Sequence, residues 1–183
     1  IGENMRKILI VIPFVITVSL FAQLRVSADM GSVFKAEHAG GSYESDTKLG
    51  FTLGYDYGIG SSGAIEYGAG GEYQLNRGFD EEGNDGAFGF TSVYGFGKYN
   101  ISEAMYAVSR VGYAVMFTGN DDFTEGDPDL GSGVLWSLGF GYPFNDQMAF
   151  EGGYASNAGT AKYGTVDMDV TYARGYFAFI YSF

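Results

Sequence analysis

Cysteine is absent from the chain, so a disulfide framework and thiol redox chemistry are both excluded. Histidine occurs once, at His38, which argues against a zinc site. Proline occurs three times, and no three-residue period runs through the 30 glycines, so collagen and low-complexity disorder fit badly. Basic residues are scarce: 10 Lys and Arg face 22 Asp and Glu, for a net charge of −12. No basic stripe exists to neutralise phosphates, and nucleic acid is not expected as a partner. The nearest approach to a phosphate cradle, GAGGEY at 68–73, lies inside an alternating run with no helix after it, so a nucleotide reading fails. An apolar face of period 3.6 is also missing.

Aromatics make up 17% of the chain and are spaced among glycines, a composition that suits strands with close backbone approaches. The first segment is different. Residues 1–4 precede a plausible start at Met5; Arg6 and Lys7 then form a positive region, and residues 8–22 are mostly apolar. Val26-Ser27-Ala28 offers permissive residues for a cut. This pattern predicts a signal peptide over 1–28, with the folded domain over 29–183. A spanning helix is the alternative, although the run falls short of the roughly 20 residues needed.

Period two dominates the rest of the chain. Leu49, Phe51, Leu53, Tyr55 and Tyr57 share one face of KLGFTLGYDY, against Lys48, Gly50, Thr52, Gly54 and Asp56. Val134, Trp136, Leu138, Phe140 and Tyr142 share one face of GVLWSLGFGY, against Gly133, Leu135, Ser137, Gly139 and Gly141. Eight strands are expected, at 32–42, 47–57, 64–76, 87–99, 104–118, 132–142, 148–156 and 167–183. The first alternates poorly, and Lys35 and Glu37 are placed inward. Short turn-like links (58–63, 100–103, 143–147) alternate with longer polar ones (76–86, 119–131, 157–166), while the link near 43–46 is polar but short. The fold class expected is therefore all-β: an eight-stranded antiparallel up-and-down transmembrane β-barrel preceded by a signal peptide.

The bulky row is expected to face lipid and the small row the lumen, because eight strands enclose only enough room for side chains. Six charged residues lie on the small row: Asp56, Glu66, Glu72, Arg110, Glu151 and Arg174. Placed inside, they form a hydrated network that plugs the barrel. A narrow channel for ions or small solutes is the alternative role. Catalysis by paired carboxylates would need a lumen that admits a sugar.

The chain closes on ARGYFAFIYSF, an alternating row that presents Phe177, Phe179, Tyr181 and Phe183 on one face. In these features the sequence resembles the small eight-stranded outer-membrane barrels of the OmpA/OmpX-like type, over residues 29–183. The resemblance is carried by the C-terminal signal polar–x–Gly–x–x–aromatic–x–aromatic. Tyr181 and Phe183 fill its aromatic places, with Ala178 where glycine is usual and Tyr176 where a polar residue is usual. YAVSRVGYAV at 106–115 also resembles the family's fifth strand. The resemblance implies export to the outer membrane of a Gram-negative cell through a cleaved signal peptide. It implies assembly by the barrel-assembly machinery reading Phe179, Tyr181 and Phe183, and contact with outer-membrane lipid and lipopolysaccharide. No peptidoglycan-binding domain follows, so an anchoring role is not expected.

Some barrels of this size modify lipid A with a His, a Ser and an acid. His38 is the one candidate base, with Ser32, Ser42 and Glu37 nearby, but Glu37 and His38 are adjacent and point to opposite faces. The expectation is a barrel without enzymatic activity and without a cofactor. Acidic links hold Asp80, Glu81, Glu82 and Asp85, and Asp121, Asp122, Glu125, Asp127 and Asp129. They read as solvated loops, or as weak sites for divalent cations bridging to lipopolysaccharide. A structural and surface-interaction role is expected, with the loops open to a host or surface ligand. A secreted lipocalin-like binder is the remaining alternative.

Overall fold

The computed structural model describes residues 22–83, 86–118 and 129–183. The expected leader falls largely outside the described residues, as do Asp85, Asp121, Asp122, Glu125 and Asp127. Eleven strands follow one another in a single sheet: β1 (Ala22–His38), β2 (Gly41–Asp46), β3 (Gly50–Ser62), β4 (Ile65–Gln74), β5 (Arg77–Gly78), β6 (Ala87–Ser102), β7 (Met105–Thr118), β8 (Asp129–Leu130), β9 (Ser132–Pro143), β10 (Met148–Tyr163) and β11 (Val166–Ser182). Eight of them form a closed antiparallel ring in the order β1-β3-β4-β6-β7-β9-β10-β11, sealed where β11 pairs with β1. The short β2, β5 and β8 add to β1, β6 and β10 at one end. Tight turns at 63–64 and 103–104 and the 144–147 link mark the turn end, together with Ala22 and Phe183. The opposite, loop end carries the remaining connections.

The strands of the ring run from 10 to 17 residues, most of them longer than the 9–11 or so that cross a bilayer at a tilt. Several connections read as loops are wholly or partly paired backbone, among them residues 58–62, which continue β3 against β4. The segment expected as a link at 157–166 is the upper part of the β10–β11 hairpin, which closes only at Gly164 and Thr165. Residues 43–46, expected as a short link, belong to β2, which begins at Gly41. Polar side chains there face water while the backbone stays paired, so polarity alone does not distinguish a projecting hairpin from a loop.

β1 departs most from expectation. It starts at Ala22, so the boundary expected after Ala28 falls inside a strand that pairs with β3 on one side and β11 on the other. Arg25, Ser27 and Asp29 point inward, alternating with the outward Leu24, Val26 and Met30. Gly31 then takes a φ of +55°, and the register with β11 slips by one residue between Met30 and Val33. A glycine in the left-handed region with one extra residue is a β-bulge, and it reverses the phase of the strand. Beyond it Phe34 and Ala36 are buried, and Lys35 and Glu37, expected inward, pair with each other on the outside.

The bulky rows face out. Phe51, Tyr73, Trp136 and Phe179 are between 37% and 47% exposed, whereas Arg174 is 2% exposed. Outward aromatics gather into two rows: Tyr67, Tyr99, Tyr142 and Phe183 toward the turn end, and Tyr73, Tyr113, Trp136 and Tyr154 toward the loop end. Aliphatic residues such as Leu53, Val111 and Leu138 fill the band between them. Such a band between aromatic girdles suits a hydrocarbon layer bounded by headgroups.

The inward rows are not uniformly small. At the loop end Phe34, Phe79, Phe88, Phe90, Met116, Leu135, Val170 and Tyr172 form one apolar cluster inside the ring. Phe88 is fully buried, its ring 4.7 Å from Phe34 and 5.2 Å from Tyr172. The expectation of a lumen lined mainly by small side chains is corrected here: large residues fit because glycines stand opposite them. A Cβ added to Gly141 would lie 1.9 Å from the Tyr106 ring, and one on Gly70 would lie 2.6 Å from the Tyr94 ring.

Candidate functional site

Below the aromatic cluster the lumen is filled by charge. Among the described residues the fully buried charged side chains are four arginines (Arg25, Arg77, Arg110, Arg174) and four acids (Asp29, Asp56, Glu72, Glu151). Each projects inward because its strand alternates, and the ring brings together residues far apart in sequence.

Glu151 on β10 forms the first rung. It accepts from Arg110 Nη1 at 2.6 Å and from the Tyr176 hydroxyl at 2.9 Å. Arg110 on β7 also donates to Asp56 Oδ2 on β3 at 3.0 Å, and Asp56 Oδ1 accepts from the Tyr94 hydroxyl at 2.6 Å. Arg25 donates to that same Tyr94 oxygen at 3.1 Å and to Glu72 Oε2 at 2.7 Å. The other oxygen of Glu72 accepts from Arg174 Nη2 at 2.7 Å. Arg174 also donates to Asn157 and lies 3.4 Å from Asp29 Oδ1. Asp29 Oδ2 accepts from Arg77 Nη1 at 2.5 Å and from Thr52 Oγ1 at 2.8 Å. Arg77 ends the ladder with its guanidinium 4.9 Å from the Tyr172 ring centre, at the floor of the aromatic cluster.

The arrangement is electrically neutral, and every guanidinium and carboxylate has a partner of opposite sign. Burying one such ion alone would cost several kcal/mol, so the groups are tolerable only together. Chemically the ladder can brace the wall from within and fill the bore. It presents no nucleophile beside a free base.

Of the six residues singled out from sequence, Asp56, Glu72, Arg110, Glu151 and Arg174 lie in this ladder. Glu66 does not. It faces the mouth at the turn end, half exposed, bonded to Lys98 Nζ at 2.7 Å and Asn100 Nδ2 at 2.7 Å. It borders a cavity of about 360 Å³ that also touches Lys98, Phe96 and Phe183. Arg25, Asp29 and Arg77 were missed. The alternation Gln23–Met30 carries the signal for the first two, but the apolar run before it draws Arg25 into the leader, and Asp29 falls between that leader and the first expected strand at 32–42. Arg77 sits in what reads as a polar loop. His38 lies exposed at the end of β1, beside the turn into β2, where its Nδ1 accepts from the Gly40 amide at 3.0 Å. Glu37 pairs with Lys35, and Ser32 is buried inside the ring while His38 is exposed, so Ser32 and His38 do not share a surface. Phe179 and Phe183 face outward and Tyr181 is half buried, its ring 5.4 Å from Phe183.

No protein-family model matches the chain, and no curated protein matches it in sequence. Solved structures do match in fold. Neisserial surface protein A superposes with a TM-score of 0.57 at 14% identity, over 88% of this chain and 97% of that one. Ail, the attachment invasion locus protein of Yersinia pestis, gives 0.45 at 14% identity over 86% and 97%. The outer membrane protein OprG of Pseudomonas aeruginosa gives 0.45 at 11% identity over 88% and 97%. The closed ring, its lipid-facing girdles and the superposition on the neisserial protein together give this chain the fold of the small eight-stranded outer-membrane β-barrels, the OmpA/OmpX-like type.

Proposed function

We propose that the protein is an integral outer-membrane barrel of a Gram-negative cell with a structural and surface-interaction role rather than a transport role. The observation that carries this reading is the filled bore. The charge ladder is continued at the loop end by the apolar cluster around Phe88, so the cavity at the turn end is a blind vestibule. An eight-stranded ring has room for little else. The lipid-facing band supports membrane residence, and hairpins that project past it support display of a surface to a ligand or to lipopolysaccharide. The outward Phe179 and Phe183 suit recognition of the last strand by the assembly machinery. No catalytic role is assigned.

Two measurements test the reading together. The folded protein is expected in the outer-membrane fraction, with a mobility on gels that changes on heating. Reconstituted in planar bilayers it is expected to stay silent. Steady single-channel conductance would instead favour the narrow channel.

A further inference from the structure

We propose that the signal peptide is removed between Ala22 and Gln23, so that the mature chain begins at Gln23 and keeps the whole lumen ladder. The inference rests on the export reading above. Two cuts fit the sequence: after Ala28, with Val26 at the third place before it, or after Ala22, with Leu20 at that place. Both leave a small residue next to the scissile bond and a leader of ordinary length counted from Met5. The sequence does not choose between them, and the barrel does.

A cut after Ala28 removes half of the membrane-spanning part of β1. Of its register with β3, which runs from Ala22↔Tyr57 to Asp29↔Gly50, only the last pair would survive. On the other side the pairs from Gln23↔Ser182 to Ala28↔Phe177 would go. β3 and β11 would then face each other across a gap in the hydrocarbon layer, with backbone N–H and C=O groups open to lipid. Each such group costs several kcal/mol, which is why barrels in membranes are closed. The same cut removes Arg25, leaving Glu72 to Arg174 alone and the buried charges unbalanced. It also removes the outward Leu24 and Val26, which face lipid.

A cut after Ala22 costs β1 only its first residue. Export precedes folding, so the burial of Ala22 in the finished barrel does not shield the bond. The cut is an ordinary hydrolysis: water adds to the Ala22 carbonyl carbon, the amide bond to Gln23 breaks, and the Gln23 nitrogen leaves as an amine. That amine can attack the Gln23 side-chain amide and expel ammonia, giving a lactam, so intact mass is a better readout than stepwise sequencing.

The test is to export the full chain in a Gram-negative host, purify the outer-membrane form and weigh it intact. The expected mass is that of Gln23–Phe183, or that mass less one ammonia. Ala22→Leu is expected to block this cut, and Ala28→Leu to leave the first residue unchanged. An outer-membrane chain that begins at any other residue, or processing lost on Ala28→Leu but kept on Ala22→Leu, overturns the proposal alone. An uncut chain retained in the cytosol overturns it together with the export reading.

Discussion

Arg25 Nη2 and Glu72 Oε2 meet at 2.7 Å inside the barrel, from β1 and β4, with β3 standing between them. The contact is possible because Gly54 on β3 has no side chain: a Cβ there would lie 2.9 Å from the Arg25 guanidinium. The pair thus links strands that do not touch along their backbones, and it joins the lower rungs of the ladder to the upper ones.

Removing one partner of this pair is expected to be worse than removing both. Glu72→Ala leaves Arg25 without its carboxylate and takes one from Arg174, and should cost about 3–5 kcal/mol. The double variant Arg25→Met with Glu72→Leu should recover part of that loss. Urea unfolding in lipid vesicles measures both. A double variant no more stable than Glu72→Ala would show that the contact has no energetic role.

The glycine slots make a second prediction. Gly141→Ala places a methyl group 1.9 Å from the Tyr106 ring, so it should destabilise by roughly 1–3 kcal/mol through overpacking. Tyr106→Ser in the same chain should relieve the clash. Gly95→Ala, whose Cβ meets nothing nearer than 3.8 Å, should be close to neutral. Equal losses at Gly141 and Gly95 would refute the pairing of large and small residues.

Orientation toward lipid can be tested at Leu138, which faces out between Trp136 and Tyr142 and is 59% exposed. Leu138→Arg should cost about 2–4 kcal/mol in bilayers. Glu37→Arg, outward on β1 beyond the bulge, should cost little. If Glu37→Arg proves as damaging as Leu138→Arg, the lipid band is misplaced.

The apolar cluster at the loop end should contribute stability apart from the ladder. Phe88→Ala removes a ring packed against Phe34, Phe79 and Tyr172 and should cost about 3–5 kcal/mol. The ladder lies below it, so bilayers carrying the variant should remain silent. Conductance that appears with Phe88→Ala alone would make the aromatic cluster, not the ladder, the barrier.

The alternation in β3, β4, β9 and β11 was legible from sequence because it is local: each residue's face follows from its neighbours. The same reasoning reached Asp56, Glu72, Arg110, Glu151 and Arg174. It failed at β1, where the polar alternation of Arg25, Ser27 and Asp29 comes directly after an apolar run. It failed again past Gly31, where one extra residue reverses the phase and turns Phe34 inward and Lys35 outward. It also failed at Arg77 and along 157–166, where polar composition hid paired backbone.

What the sequence determined by itself was the class of fold and the side of the wall on which most residues lie, since a period of two with large and small rows allows few arrangements. What the tertiary structure decided was which strands meet across the lumen, where the bulge falls, how far the hairpins project and which arginine answers which acid. Those depend on ring closure and on space left by glycines several strands away. No local pattern encodes such distances, because they arise only once the last strand is sealed to the first.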